Sequence, residues 1–559
     1  MTFAPIFQAD QYKEEEVKSL SPFFTNLDKS VYAPLILSPE LIGALCSRTS
    51  RAAYDLRPIY LKEFIEPFLN PVREEKDTEE TWQEKIKHGE VLKKFIDFAS
   101  EHPITELFAN PRARSFYTKW LAQFGDDSIA QMAGLHLVFC GLSQIAIKHF
   151  ENQRLGLAPI EKSTRYVNYS QKINGQYLYY VDPTLSELGL ETEYRQAMDN
   201  LFGTYANLMP RLAQWLAQKF SNEKPAVIEK KAFDTLRGLL PTATLSQVAF
   251  FGNGQAFEYL VSRSLKHPLG EIRWAGQRAY EELNQVTPSF FRRLEKEEAK
   301  NYQEYLGQKG KRVASLVNSV LGGLSVEVNT GPTVRLIEYD PMGEDKILAG
   351  IIFDAPGNQF SWPQILEKVW RLSREEKLYI FQQYLRGRTA RWQKIGRAFE
   401  NTYVRFEIVM NIGAWRDIQR HRAMTQQNQL FSCAHSYDVP SEIIEAGMET
   451  EFRAAIKQAE EVHQKIAAHD VYLAQYAVTL AHRLRFMQWQ NLRECFWEIE
   501  LRTIPEGHSD YRKIEQEKFA LLKKIYPLIC EHMMVNLGDY DFARRGQDDK
   551  IQKKIQSLG

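Results

Sequence analysis

Apolar and polar residues alternate over 403–410, with Val404, Phe406, Ile408 and Met410 on one face and Arg405 and Glu407 on the other. A period of two predicts a strand with one buried face. Gly413 breaks the pattern, and a short helix from Ala414 is expected to carry Arg420-His421-Arg422 at its end. Residues 133–139 read as an equivalent strand, broken at Gly141 and followed by a helix over 143–152. Long helical patterns come next in each case, at about 187–220 and 443–485. The same order of strand, helix and long helix thus occurs twice, as an old tandem duplication would leave it.

The punctuation of the chain sets the expected boundaries. Residues 1–30 read as an irregular leader, and 31–294 as the first copy. Residues 295–331 are charged and glycine-containing (Glu295-Lys296-Glu297-Glu298, then Gly322-Gly323) and read as a connection. The second copy, 332–559, opens on a strand at Val334-Arg335-Leu336-Ile337-Glu338-Tyr339, closed by a turn at Pro341-Met342-Gly343. The expected fold class is α+β: two tandem copies, each a mixed sheet with long helices, arranged as a pseudo-dimer. The most apolar stretch, 132–147, is interrupted by His136, Ser143 and Gln144 and is short of the ~20 residues a membrane span needs. It is expected to be core, and no membrane association is expected.

Composition narrows the function classes. Lys+Arg and Asp+Glu are equal at 71 each, so bulk electrostatic attraction does not point to a nucleic-acid partner. Aromatics reach 12%, enough for both a core and flat-ring binding pockets. The five cysteines are scattered and none forms a C-x-x-C pair, so neither a structural metal nor a disulfide framework is expected. With no basic flank and apolar run at the N-terminus, a cytoplasmic protein is expected.

Two segments bear chemistry. Three adjacent cations in a continuous helix cannot all face one ligand, because neighbours are ~100° apart. At a helix end running into a loop, Arg420-His421-Arg422 can converge on phosphates or an electron-rich ring. Glu161-Lys162-Ser163-Thr164-Arg165-Tyr166 follows Pro159; alternating hydroxyl and guanidinium on one side of an extended segment suit an anion. Taken alone, the first reads more readily as a solvated basic turn and the second as an ordinary surface loop.

Laid end to end, the two resemble halves of one motif, R-H-R-x-x-S-x-N-E-x-S-x-R-Y, of the flavin-dependent thymidylate synthases. The first copy keeps its anion-binding end and the second its flavin-contacting end. Further elements agree. Arg237-Gly238-Leu239-Leu240-Pro241 resembles the family's R-x-x-L-P, and Arg263 with His267 and Glu271-Ile272 resembles R-x(3)-H-x(3)-E-I. Asn491-Leu492-Arg493 resembles its N-x-R flavin contact, and Arg502, eleven residues after Asn491, falls at the ring-facing arginine position. Gly125-Asp126-Asp127-Ser128 and Glu400-Asn401 are remnants of an early flavin element. Departures are equally plain: Asn152-Gln153-Arg154 stands near the place of R-H-R in the first copy. In the second, Asn428-Gln429 replaces Asn-Glu with a shift of register, and the phosphate arginine is missing.

The resemblance implies roles. Glu161, Ser163, Arg165 and Arg237 would hold the nucleotide dUMP, with Arg263 facing its ring. Ser128, Arg420, His421, Arg422, Asn428, Asn491 and Arg493 would hold FAD, and Arg502 would serve either ligand. Arg263 and Arg502 are the catalytic candidates, acting through charge stabilisation, since no Cys/His nucleophile arrangement is evident. The implied reaction moves a one-carbon unit from methylenetetrahydrofolate to dUMP, with NADPH reducing the flavin. The family assembles as homotetramers with sites built from several subunits, so the duplicated chain would form a homodimer, a pseudo-tetramer with fewer live sites. The alternatives are one-carbon transfer to a different pyrimidine nucleotide and a non-catalytic flavin- or nucleotide-binding homologue.

Overall fold

The computed structural model describes residues 2–75, 77–107, 109–117, 119 and 127–543. Eight strands build two four-stranded sheets among the described residues. The first contains β1 (Val31–Tyr32), β2 (Gly134–Ser143), β3 (Leu157–Glu161) and β4 (Leu245–Asn253). The second contains β5 (Thr333–Tyr339), β6 (Tyr403–Asn411), β7 (Met424–Asn428) and β8 (Arg483–Asn491). Their spatial orders are β1-β2-β4-β3 and β5-β6-β8-β7, one topology used twice. Every pairing is antiparallel. The expected mixed sheet is therefore corrected to antiparallel, although the α+β class holds.

The alternation at 403–410 does what its period requires. Val404, Phe406 and Ile408 are fully buried, whereas Tyr403, Arg405 and Glu407 are partly exposed. Gly141 stands at φ +79° where the register of β2 shifts between Cys140 and Leu142, so the break read there is a bulge. Pro159 lies in β3, an edge strand, where a missing N–H is tolerated.

Six helices matter below. They are α1 (Gln144–Glu151), α2 (Gly254–Ser264), α3 (Glu297–Leu321), α4 (Ile412–Ile418), α5 (Leu492–Arg502) and α6 (Ser509–Ile525). α1 and α4 follow β2 and β6, while α2 and α5 follow β4 and β8. All four begin on a side-chain cap: Ser143, Asn411, Asn253 and Asn491 accept from the backbone N–H three residues on, at 3.1, 2.8, 2.8 and 2.9 Å. The expected leader is structured. A helix at Glu14–Leu20 and the turn after it deliver Leu20, Phe23 and Phe24 to a core shared with Ile42, Leu45, Tyr60 and Val138. The expected connection is largely the 25-residue α3.

The chain divides into two compact units that do not follow the copy boundaries. The first comprises Met1–Ala206, Leu240–Val326 and Lys457–Ala477; the second comprises Asn207–Leu239, Glu327–Ile456 and Val478–Gly559. One division falls inside the helix Glu191–Lys219 and another inside Glu449–Ala467, so each copy gives a segment to the other unit. No described helix is long and apolar enough to cross a membrane.

Each unit buries charge beside its sheet. In the first, Glu271 accepts from the Ser143 N–H at 2.7 Å, the Ser143 hydroxyl at 2.6 Å and the Tyr476 hydroxyl at 2.7 Å. Burial nevertheless dominates and pushes Glu271 up to about 7. The sign follows by linkage. The folded state binds this proton more tightly than the unfolded chain, whose glutamates titrate near ~4.3. The contribution is complete below the unfolded value and is lost as pH rises through about 7. Glu271→Gln, which keeps the shape and removes the titration, should flatten the pH dependence of the denaturation midpoint between pH 5 and 8. An unchanged slope would show that Glu271 does not set it.

Candidate functional site

The second unit holds a cavity of about 520 Å³. α5 forms its floor with Asn491 at the cap, then Arg493, Trp497, Leu501 and Arg502. The turn after α4 supplies Arg420, His421, Arg422 and Ala423. As expected, this turn sits between a short helix and the next strand, where three successive cations can converge. A third wall is the segment from Arg388 to Glu400, which runs antiparallel to α5. Arg388 pairs with Glu500, its Nη1 at 2.8 Å; the Lys394 ammonium stands 3.5 Å from the Trp497 ring centroid; Glu400 pairs with Arg493.

His421 is fixed from both sides. Its Nδ1 is 2.9 Å from Glu494 Oε1, and its Nε2 accepts from Arg502 Nε at 2.9 Å. A carboxylate can only accept and a guanidinium can only donate, so the network assigns the proton to Nδ1. Burial works to raise the Glu400 carboxyl, but hydrogen bonds from Arg493 and Arg397 hold it below the ordinary carboxylate range. Asn491 uses its side-chain oxygen on the Glu494 N–H, which leaves its amide N–H groups for a ligand.

The cations outnumber the anions. Arg388 is matched by Glu500 and Arg493 by Glu400, and Arg420 and Arg502 share Asp417 at 3.6 and 3.8 Å. Arg391, Lys394 and Arg422 line the same space with no carboxylate ion pair among the described residues. A cavity with surplus positive charge, an aromatic floor at Trp497 and Phe496, and a helix N-terminus at Asn491 suits a ligand that joins phosphates to flat rings.

The other expected residues are placed as follows. Asn428 ends β7 and is exposed; β7 and β3 pair with their neighbours so that Asn428 occupies the position of Glu161. Arg237 is buried in the second unit, in the turn after the helix Pro225–Leu236. It comes so close to α4 that a Cβ on Gly413 would stand 3.4 Å from its Nε. In the first unit, Glu161 is buried and accepts from Lys148 at 2.8 Å, in a cluster with Glu151. Arg165 is buried, and its N–H donates to Ser163 Oγ at 3.2 Å. Arg263 donates from Nε to His149 at 3.3 Å, with His267 against the His149 ring at 4.6 Å. Burial first, then the neighbouring Arg263, holds His267 down at about 3. Ser128 lies in the turn Asp127–Met132, with its side chain outside the described residues, as is Gly125.

Sequence reasoning missed Arg388, Arg391, Lys394 and Trp497. The basic spacing of Arg386-Gly387-Arg388, Arg391 and Lys394 was the available signal.

Comparison with known proteins decides the family. The model of the family described as thymidylate synthase complementing protein matches residues 76–289 and again 366–528, once in each copy. The chain belongs to this family. A UPF0159 protein of Chlamydia pneumoniae is 33% identical over 554 residues, covering 96% of this chain and 98% of its own length. A flavin-dependent thymidylate synthase of Corynebacterium diphtheriae is 27% identical over 192 residues, covering 33% of this chain and 70% of its own. The solved structure of the UMP/dUMP methylase PolB of Streptomyces cacaoi is similar over 37% of this chain and 96% of its own, with 14% identity and a TM-score of 0.29.

Proposed function

We propose that this family member is a flavin-dependent thymidylate synthase. In this reading it binds FAD in the second unit's cavity and transfers a one-carbon unit from methylenetetrahydrofolate to dUMP, with NADPH as reductant. One observation supports the reading above the others. Arg420, His421, Arg422, Asn491, Arg493 and Arg502, assigned from three separate motif elements, line a single cavity with surplus positive charge.

The donor set fits the cofactor. Arg422 and Arg391 would take its phosphates, Trp497 offers a ring face, and Asn491 offers amide N–H groups at the helix start. Bound flavin would supply the redox chemistry, which no side chain here can supply. The protein's own task is positioning and charge. His421, held by Glu494, presents a fixed lone pair to Arg502 and so sets the guanidinium's orientation at the cavity. The working assembly in this reading is a homodimer of the duplicated chain, and a monomeric mass in solution would count against it.

The test is the visible spectrum of the purified protein with FAD, before and after dUMP, followed by turnover with methylenetetrahydrofolate and NADPH. A flavin spectrum that shifts with dUMP, and dTMP as product, would establish the reading. A yellow protein that turns over a different pyrimidine nucleotide would move it to that acceptor. A yellow protein with no turnover would make it a non-catalytic binder, and no flavin at all would overturn it.

A further inference from the structure

A duplicated chain should offer two equivalent flavin sites. We propose that this chain has one, in the second unit, because the first copy's counterpart of the cavity has lost most of its cations and its turn is bonded back onto α2. The inference rests on the flavin reading above.

The two copies can be aligned through their caps. α2 and α5 each have 11 residues, each follows a nine-residue strand, and each starts on an asparagine. Counting from those caps, Gln255 takes the place of Arg493, Ala256 that of Glu494 and Tyr259 that of Trp497. Counting from Ser143 and Asn411, Asn152-Gln153-Arg154 takes the place of Arg420-His421-Arg422. By position the first copy thus keeps one of these three cations, Arg154, and loses the carboxylate, while His149 and not residue 153 supplies the imidazole that meets Arg263. What replaces them turns inward: the Gln153 amide donates to the Ala256 carbonyl at 2.7 Å, closing the turn onto α2. Arg154 adopts φ +56°, a left-handed conformation a non-glycine residue rarely takes.

The same helix flank is covered differently in the two units. On α5, Phe496, Trp497 and Glu500 face the segment that brings Arg388 and Lys394 to the cavity. On α2, Glu258 is held by Arg293, from the turn that leads into α3. α3 then packs against the turn that follows α2. Glu304 stands 3.5 Å from Lys266, and a Cβ on Gly307 would be 2.5 Å from the Lys266 carbonyl oxygen. Glycine is what lets the helix come this close. The residue pattern read as a charged connection therefore has a place in the fold, packed at the end of α2, whose counterpart α5 lines the cavity in the other copy.

The test is the stoichiometry of FAD binding, by absorbance titration and equilibrium dialysis of the full chain. Saturation at one FAD per polypeptide is expected, and saturation at two would overturn the proposal while leaving the flavin reading intact. Arg422→Ala changes an exposed residue, so the fold should survive it. It should weaken all of the FAD binding at least tenfold in a single phase. Half the binding persisting at wild-type affinity would reveal a second site and overturn the proposal. A wild-type protein that takes up no FAD would refute the flavin reading itself, and this inference with it.

Discussion

Arg493→Ala is expected to weaken FAD binding by about 2–3 kcal/mol, roughly 30- to 150-fold. The loss has two sources. Arg493 sits in the first turn of α5, where an anion already benefits from the helix N-terminus, and its guanidinium adds a charged fork at that point. It is also the partner of Glu400, which lines the same cavity. Truncation removes a cation and releases a carboxylate to repel the incoming phosphates. The double variant Arg493→Ala/Glu400→Gln should therefore bind more tightly than Arg493→Ala alone. Calorimetric titration with FAD checks both steps. An Arg493→Ala protein with wild-type affinity would show that the N-x-R element does not touch the cofactor. Failure of the second change to restore affinity would confine the effect to the lost fork.

How much of this was readable beforehand depends on the range over which each feature is determined. The strand at 403–411 follows from local alternation, so it was legible, whereas the strand read over 133–139 runs on through the bulge at Gly141 to Ser143. The turn at 420–422 was also legible: a short helix ends, and its three cations are released together. The strand Leu157–Glu161 was not read from sequence: Pro159 is unfavourable for pairing, and only its place at a sheet edge makes it acceptable. Arg237 and Gln475 hold equivalent positions in the two copies, yet they lie in different compact units from the sheets that follow them in sequence. No window of sequence predicts such an exchange, because it is decided by where two long helices run. The segment at 388–394 fell outside every motif and has no regular structure, so its cations gained meaning only once they stood opposite α5.

Lys518→Met is expected to cost about 3–5 kcal/mol of stability, the range for breaking a buried ion pair by removing one partner. Lys518, on α6, is fully buried between Glu498 of α5 and Glu515 one turn before it; Glu515 is at 3.1 Å, and Gln488 of β8 accepts from the same ammonium at 3.0 Å. One cation holds two carboxylates unequally. Burial acts against charge on both, but Lys518 holds Glu498 below the ordinary carboxylate range, while burial and the Glu498 charge push Glu515 up. Without the lysine, both carboxyls would be driven to keep their protons. Their folded affinity for protons would exceed that of the unfolded chain, near ~4.3, so stability would be retained at low pH and lost as pH rises. The deficit of Lys518→Met should accordingly be smallest near pH 5 and largest near pH 8. Adding Glu498→Gln and Glu515→Gln should recover much of it, since neutral amides need no buried counter-ion. Urea denaturation of the single and triple variants across that range decides the matter. A pH-independent loss would mean that packing around the lysine stem, and not its charge, is what the site requires. Glu498 is the neighbour of Trp497 on α5, and it also accepts from Gln488 at 3.1 Å and Gln490 at 3.0 Å on β8. The same cluster therefore sets the rotation of the helix that forms the cavity floor. Lys518→Met should bind FAD more weakly even at temperatures where it remains folded, whereas the triple variant, with its helix again hydrogen-bonded to the sheet, should recover binding together with stability.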